Sequence, residues 1–113
     1  MTAKKINSES YKLTSGSEPI SVHYTGLRQV VLLLRALDHD IRKSIIEMLH
    51  ENNKLTVTDI YIKLRIEQSV ASQHLAILRK ANIVLDSRQG KNIHYTLNKE
   101  RLKEIADLVD KLA

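Results

Sequence analysis

Apolar residues first recur at helical spacing just after Gly26, where Leu27, Val30, Val31, Leu34 and Leu37 form a stripe that Leu32 and Leu33 widen. This surface calls for burial on two sides. Asp38 and Asp40 then stand where carboxylates cap a second helix, which carries Ile41, Ile45, Met48 and Leu49 on one face and ends near Asn52 and Asn53. Leu55 opens the next segment. Val57, Ile60, Tyr61 and Leu64 mark a short third helix, a break falls at Arg65 to Glu67, and residues 68–82 give a fourth. From Ile83 the period becomes two. Ile83 and Leu85 alternate with Val84 and Asp86, "SRQGK" (87–91) makes a glycine-centred turn, and Ile93, Tyr95 and Leu97 alternate with Asn92, His94 and Thr96. Asn98 is placed to cap a last helix striped by Leu102, Ile105, Val109 and Leu112. The expected fold is therefore mainly α with a small β-hairpin, built from five helices. Residues 1–24 hold clustered Ser and Thr and Pro19 without a sustained apolar period, so they are expected to form a flexible tail ahead of one folded domain, 25–113.

The fourth helix divides sharply at about 100° per residue. Val70, Ala71, Leu75, Ile77, Leu78 and Ala81 share the half that faces a core, while Gln68, Ser69, Ser72, Gln73, Ala76, Arg79 and Lys80 share the other. Short hydroxyls and amides collect at its N-terminal end and cations at its C-terminal end. Base edges in a DNA major groove are read by side chains that both donate and accept hydrogen bonds, whereas the phosphate rim takes Lys, Arg and hydroxyls. A helix exposed only to water gains more from Glu, Lys and Ala. A short helix, a tight turn, this polar-tipped helix and a basic hairpin follow the order of a helix-turn-helix with a wing.

Charge reinforces that order. The 113 residues carry 18 Lys plus Arg against 13 Asp plus Glu, a formal +5 that favours a polyanionic partner. Between Lys63 and His94 there are six cations, namely Lys63, Arg65, Arg79, Lys80, Arg88 and Lys91, against Glu67 and Asp86, so +4 of the total lies there. Arg88, Lys91 and Asn92 sit at the hairpin tip, within reach of a minor groove or phosphate backbone. The chain has no cysteine, which removes disulfides, thiolate metal ligands and thiol nucleophiles. Its longest purely apolar run, Val30 to Leu34, is far too short to span a bilayer, and Lys4 and Lys5 precede no apolar leader segment, so a cytoplasmic location is expected.

"ALDHDIRKSIIEML" (36–49), "QSVASQHLAILRKANIV" (68–84) and "SRQGKNIHYTL" (87–97) together resemble the ArsR/SmtB family of dimeric winged-helix transcriptional repressors, in matching order from about Leu27 to the C-terminus. The resemblance implies that Gln68, Ser69, Ser72 and Gln73 face operator DNA and that Arg88 and Lys91 belong to the wing. It also implies a homodimer on a palindromic double-stranded operator, released by an effector. Residues alone point to pairing too, because the first and last helices carry more apolar surface than one small domain covers. The expected interface is Leu27, Val30, Val31 and Leu34 with Leu102, Ile105, Val109 and Leu112. Pairing would hold two recognition helices roughly 34 Å apart, the repeat of successive major grooves.

Many members of that family sense metals through a Cys-x-Cys in the third helix or through carboxylate and His ligands on the last one. In "KLTVTDI" (54–60), Thr56 and Thr58 stand where the thiolates would be, and the last helix has no His and opens with Lys99 and Arg101. No metal site and no cofactor are expected; the effector is an unknown small molecule or ion. His74 falls on the apolar half of the fourth helix, which suits an orienting role, and His94 is expected to point outward on the wing. Asp38, His39 and Asp40 suit a helix start better than a ligand set. No nucleophile, base and acid set or phosphate-cradling loop is present, so no catalytic residue is expected. The alternative is a winged-helix module that binds protein and reads no bases.

Overall fold

A computed structural model describes residues 10–14 and 18–113. In chain order the elements are β1 (Ser10–Leu13), β2 (Ile20–His23), α1 (Tyr24–Leu37), α2 (Asp40–Asn52), β3 (Leu55–Thr56), α3 (Val57–Leu64), α4 (Gln68–Lys80), β4 (Val84–Gln89), β5 (Asn92–Leu97) and α5 (Lys99–Leu112). The chain divides into two compact units, Met1–Leu32 and Leu33–Ala113. The division falls inside α1, eight residues beyond the boundary expected at 24–25.

In the first unit, β1 and β2 pair antiparallel with Tyr11 opposite Val22 and Leu13 opposite Ile20. Paired residues share a face, so these four apolar side chains form one side of the ribbon, and all four are exposed. The Tyr11 ring meets the Tyr24 ring edge-on at 5.2 Å. A flexible tail was expected here; the described part forms a hairpin. The alternation that builds it covers only four residues per strand, with Pro19 just ahead of β2. The remainder of that expected tail, 1–9 and 15–17, lies outside the described residues.

The second unit is organised around a core of Ala36 from α1, Ile45, Met48 and Leu49 from α2, Ile60 from α3, and Ala71, Leu75 and Leu78 from α4. Ile83, Val84 and Ile105 complete it. The helices start and stop where local chemistry dictates. His39, rather than a neighbouring Asp, caps α2 by accepting a hydrogen bond from the Ile41 N–H at 3.1 Å. Thr56 and Asp59 form a reciprocal capping box at the start of α3. Arg65 then takes a left-handed conformation, φ 57° and ψ 44°, that ends α3. The Arg65 N–H donates to Ile62 O and the Ile66 N–H to Tyr61 O, a Schellman closure. Asn82, φ 64°, closes α4 in the same way, with Ile83 donating to Leu78 O.

That second closure sets the parity of the wing. Ile83 still belongs to the helix corner, so β4 begins at Val84; Ile83 and Val84 are both buried and Leu85 is 45% exposed. The sheet has the order β3-β5-β4, in which Tyr95 of β5 lies between Leu55 and Asp86. Strand β3 was not expected, since two residues carry no readable period. It fastens the wing's inner strand to the start of α3.

Candidate nucleic-acid interface

Helix α3, a three-residue turn and α4 form a helix-turn-helix, and the β4–β5 hairpin follows it as a wing. Gln68, Ser69, Ser72 and Gln73 are all exposed, as are Arg79 and Lys80 further along the same helix. Ala71, Leu75 and Leu78 turn the opposite side into the core, and Val70 and Ala81 are half-buried. Ile77 departs from the expected division and is 43% exposed. No side chain caps the start of α4 at Glu67, so its leading N–H groups are not bonded by the preceding residue.

His74 is half-buried and its Nδ1 lies 3.1 Å from Arg42 Nη1. A guanidinium only donates, so Nδ1 accepts and the neutral ring carries its proton on Nε2. The same Arg42 donates from Nε to Ala36 O at 2.8 Å and from Nη2 to Arg35 O at 3.0 Å. These carbonyls close α1, where a cation also suits the helix dipole. Burial, and then the neighbouring His39 and Arg42, hold the His74 pKa below its ordinary value. The His39 and His74 rings are 4.6 Å apart, tilted by 47°. Sequence reading assigned His74 an orienting role without finding its partner. Arg42 lay in a helix read only for its apolar stripe.

The wing turns at Gly90, whose φ of 67° belongs to the region that L side chains avoid. Arg88, Lys91 and Asn92 are exposed around it. Lys54, just before β3, donates from Nζ to Gln89 Oε1 at 3.2 Å and adds a further cation beside the tip. At the wing's root, Arg79 approaches Asp86 across the α4–β4 corner. His94 was expected to point outward, yet it is half-buried, opposite Thr56 of β3 and Ser87 of β4. Its charge helps lower the Asp59 pKa, behind the backbone and side-chain hydrogen bonds from Thr56. The expected outward face is covered there by the β3–α3 start.

The residues expected to pair subunits separate into two groups. On α1, Leu27, Val31 and Leu34 are exposed and Val30 is half-buried; on α5, Val109 and Leu112 are exposed. Ile105, by contrast, is only 4% exposed and belongs to the protomer's own core, with Leu102 packed against that core. The stripe of α5 is wide enough to serve two surfaces, and periodicity alone assigned it to one. Thr56, at a position where thiolates would stand in metal-sensing relatives, has its hydroxyl engaged as the α3 cap. Among the described residues, no three His, Asp or Glu side chains gather closely enough to hold a metal ion. No described helix is long and apolar enough to cross a membrane.

A helix-turn-helix with an exposed polar second helix and a basic wing defines a winged-helix DNA-binding regulator. Residues 39–85 match the family described as "Bacterial regulatory protein, arsR family". The chain is 32% identical over 89 residues to the transcriptional repressor PagR of Bacillus anthracis, covering 79% of this chain and 89% of that one. It is 34% identical over 80 residues to the arsenical resistance operon repressor of Escherichia coli, covering 71% and 68%. The solved structure of HlyU from Vibrio cholerae superposes with a TM-score of 0.62 at 32% identity, over 77% of this chain and 94% of that one. The protein belongs to the ArsR family, whose members are transcriptional regulators and not enzymes.

Proposed function

We propose that this protein is a repressor that binds a palindromic operator as a homodimer in the cytoplasm and lets go when an effector binds. The observation that carries this reading is the exposed row of Gln68, Ser69, Ser72 and Gln73 on α4, backed by Ala71, Leu75 and Leu78 in the core. The row has the donors and acceptors that base edges need and sits on a helix fixed from behind. Arg79, Lys80, Arg88 and Lys91 supply phosphate contacts on either side, and Asn92 a polar contact at the wing tip. Exposed apolar side chains on α1 and on the end of α5 support pairing through those two helices, with Ile105 excluded from the interface. Repression follows the sense of PagR and the arsenical resistance repressor, although HlyU of Vibrio cholerae is described as an activator. With no cysteine and with Thr56 occupied as a cap, the effector is a small molecule or ion that does not need thiolates.

Selection of bound fragments from random DNA tests this directly. The expected result is an inverted repeat whose half-sites are about one helical turn apart. Changing Ser72 and Gln73 together to Ala should reduce discrimination by about 1–3 kcal/mol per lost base contact, while nonspecific binding persists. Equal discrimination by both forms would show that α4 is not the reading element.

A further inference from the structure

We propose that Arg42 and His74 form a proton-released latch that fixes the recognition helix to the end of α1, so that mild acid loosens DNA binding. This inference rests on the DNA-reading function above and concerns how that site is held. Arg42 spends two of its donor nitrogens on α1, at Ala36 O and Arg35 O, and a third on α4, at His74 Nδ1. The two attachments respond differently to a proton. Carbonyls do not titrate in this range, so Arg42 stays on α1. A proton on His74 Nδ1 removes the acceptor and sets an imidazolium against the guanidinium, so only the α4 side lets go.

His39 lies beside this pair. Its Nδ1 accepts the Ile41 N–H that starts α2, and its ring lies against that of His74. The groups facing His74 are therefore Arg42 from α2 and His39 from the α1–α2 corner. Asp38, beside His39, is paired loosely with Lys43 at 3.9 Å. The other elements packed on α4 are α3, with Asp59, Tyr61 and Lys63, and β4, with Asp86 and Arg88. The His74 pKa is lowered by burial, then by His39 and Arg42, and not by these five. Asp59 is held by Thr56, and Asp86 by Arg79.

The sign follows from the depressed folded value. With His74 held below its ordinary 6.5, the latch is fully closed above pH 6.5 and is lost as the pH falls through the lower, folded value.

The test uses the full chain in two arms. In the first, imidazole nitrogen and backbone amide resonances are followed by NMR from pH 8 to pH 5. His74 should titrate below 6.5, and the amides of Arg35 to Leu37 and of α4 should move with the same midpoint. His74→Gln keeps an acceptor that does not titrate and should abolish that shared midpoint; Arg42→Met should raise the His74 midpoint. In the second, a 30-base-pair duplex selected at pH 7.5 from a random pool is titrated by fluorescence anisotropy. The readout is the wild-type affinity divided by that of His74→Gln, so that effects common to both proteins cancel. This ratio should fall by up to about tenfold per pH unit below the His74 midpoint. A ratio that stays constant from pH 8 to pH 5, or helix amides that ignore the His74 midpoint, would overturn the latch. A selection that yields no preferred duplex would defeat the DNA reading instead, and the NMR arm would still decide the latch.

Discussion

Arg79 Nε lies 3.8 Å from Asp86 Oδ2, so a cation of the recognition helix is partly neutralised by a carboxylate at the root of the wing. Both side chains are substantially exposed, at 56% and 39%, and such a pair contributes about 0–1 kcal/mol to stability. Its larger effect is on what Arg79 offers a phosphate. Asp86→Asn should change stability by less than about 1 kcal/mol in urea unfolding. DNA affinity should rise, and the slope of log K against log salt should steepen by about 0.9 if Arg79 gains one phosphate. A weaker complex would mean that Asp86 positions Arg79 and does not mask it.

The Thr56–Asp59 capping box makes the start of α3 acid-sensitive. Hydrogen bonds from the Thr56 backbone and hydroxyl hold the Asp59 carboxyl below its ordinary 3.8. A carboxylate lowered in the folded state stabilises above that ordinary value and loses its contribution as the pH drops through the folded one. Asp59→Asn should therefore flatten the stability profile below about pH 4. Thr56→Ala should cost about 1 kcal/mol at pH 7, the usual loss for a missing N-cap. Circular dichroism across an acid series separates the two.

A methyl group at residue 90 would meet nothing within 4 Å, so the wing tip is constrained by backbone conformation and not by space. Gly90→Ala should cost about 1–2 kcal/mol, the penalty of a side chain in the left-handed region. The loss should be local. Hydrogen exchange should accelerate in β4 and β5 and remain unchanged in α2 and α3; uniform acceleration would contradict this.

Two residues of one stripe on α5 should behave oppositely. Ile105→Ala empties part of the core and should destabilise by about 2–5 kcal/mol. Leu112 is 77% exposed, so Leu112→Asp should leave the protomer folded and shift sedimentation toward monomer. A Leu112→Asp protein that stays dimeric would remove the end of α5 from the proposed interface.

The main helices were legible in the sequence because each carries a stripe of at least two turns, and the exposed row on α4 was legible because its residue types do not suit plain solvent. What escaped was either short or positional. Strand β3 has two residues, and β1 and β2 alternate for only four each. The turn closing α4 runs one residue into the apparent strand, so Ile83 and Val84 are both buried, a shift invisible to alternation. Ile105 and Leu112 share one stripe but not one environment. Arg42 joins residues 32 positions apart in the chain, and nothing in its local pattern marks that contact.

Arg65 occupies the left-handed corner of the helix-turn-helix, where glycine would fit without steric cost. Keeping a residue with a Cβ there costs the turn about 1 kcal/mol of conformational strain. In exchange, an exposed guanidinium stands three residues ahead of Gln68, the first residue of the exposed polar row. An Arg65→Gly protein would be a sturdier fold and a poorer ligand for polyanions, so at this corner tolerance to heat and grip on DNA are set against each other.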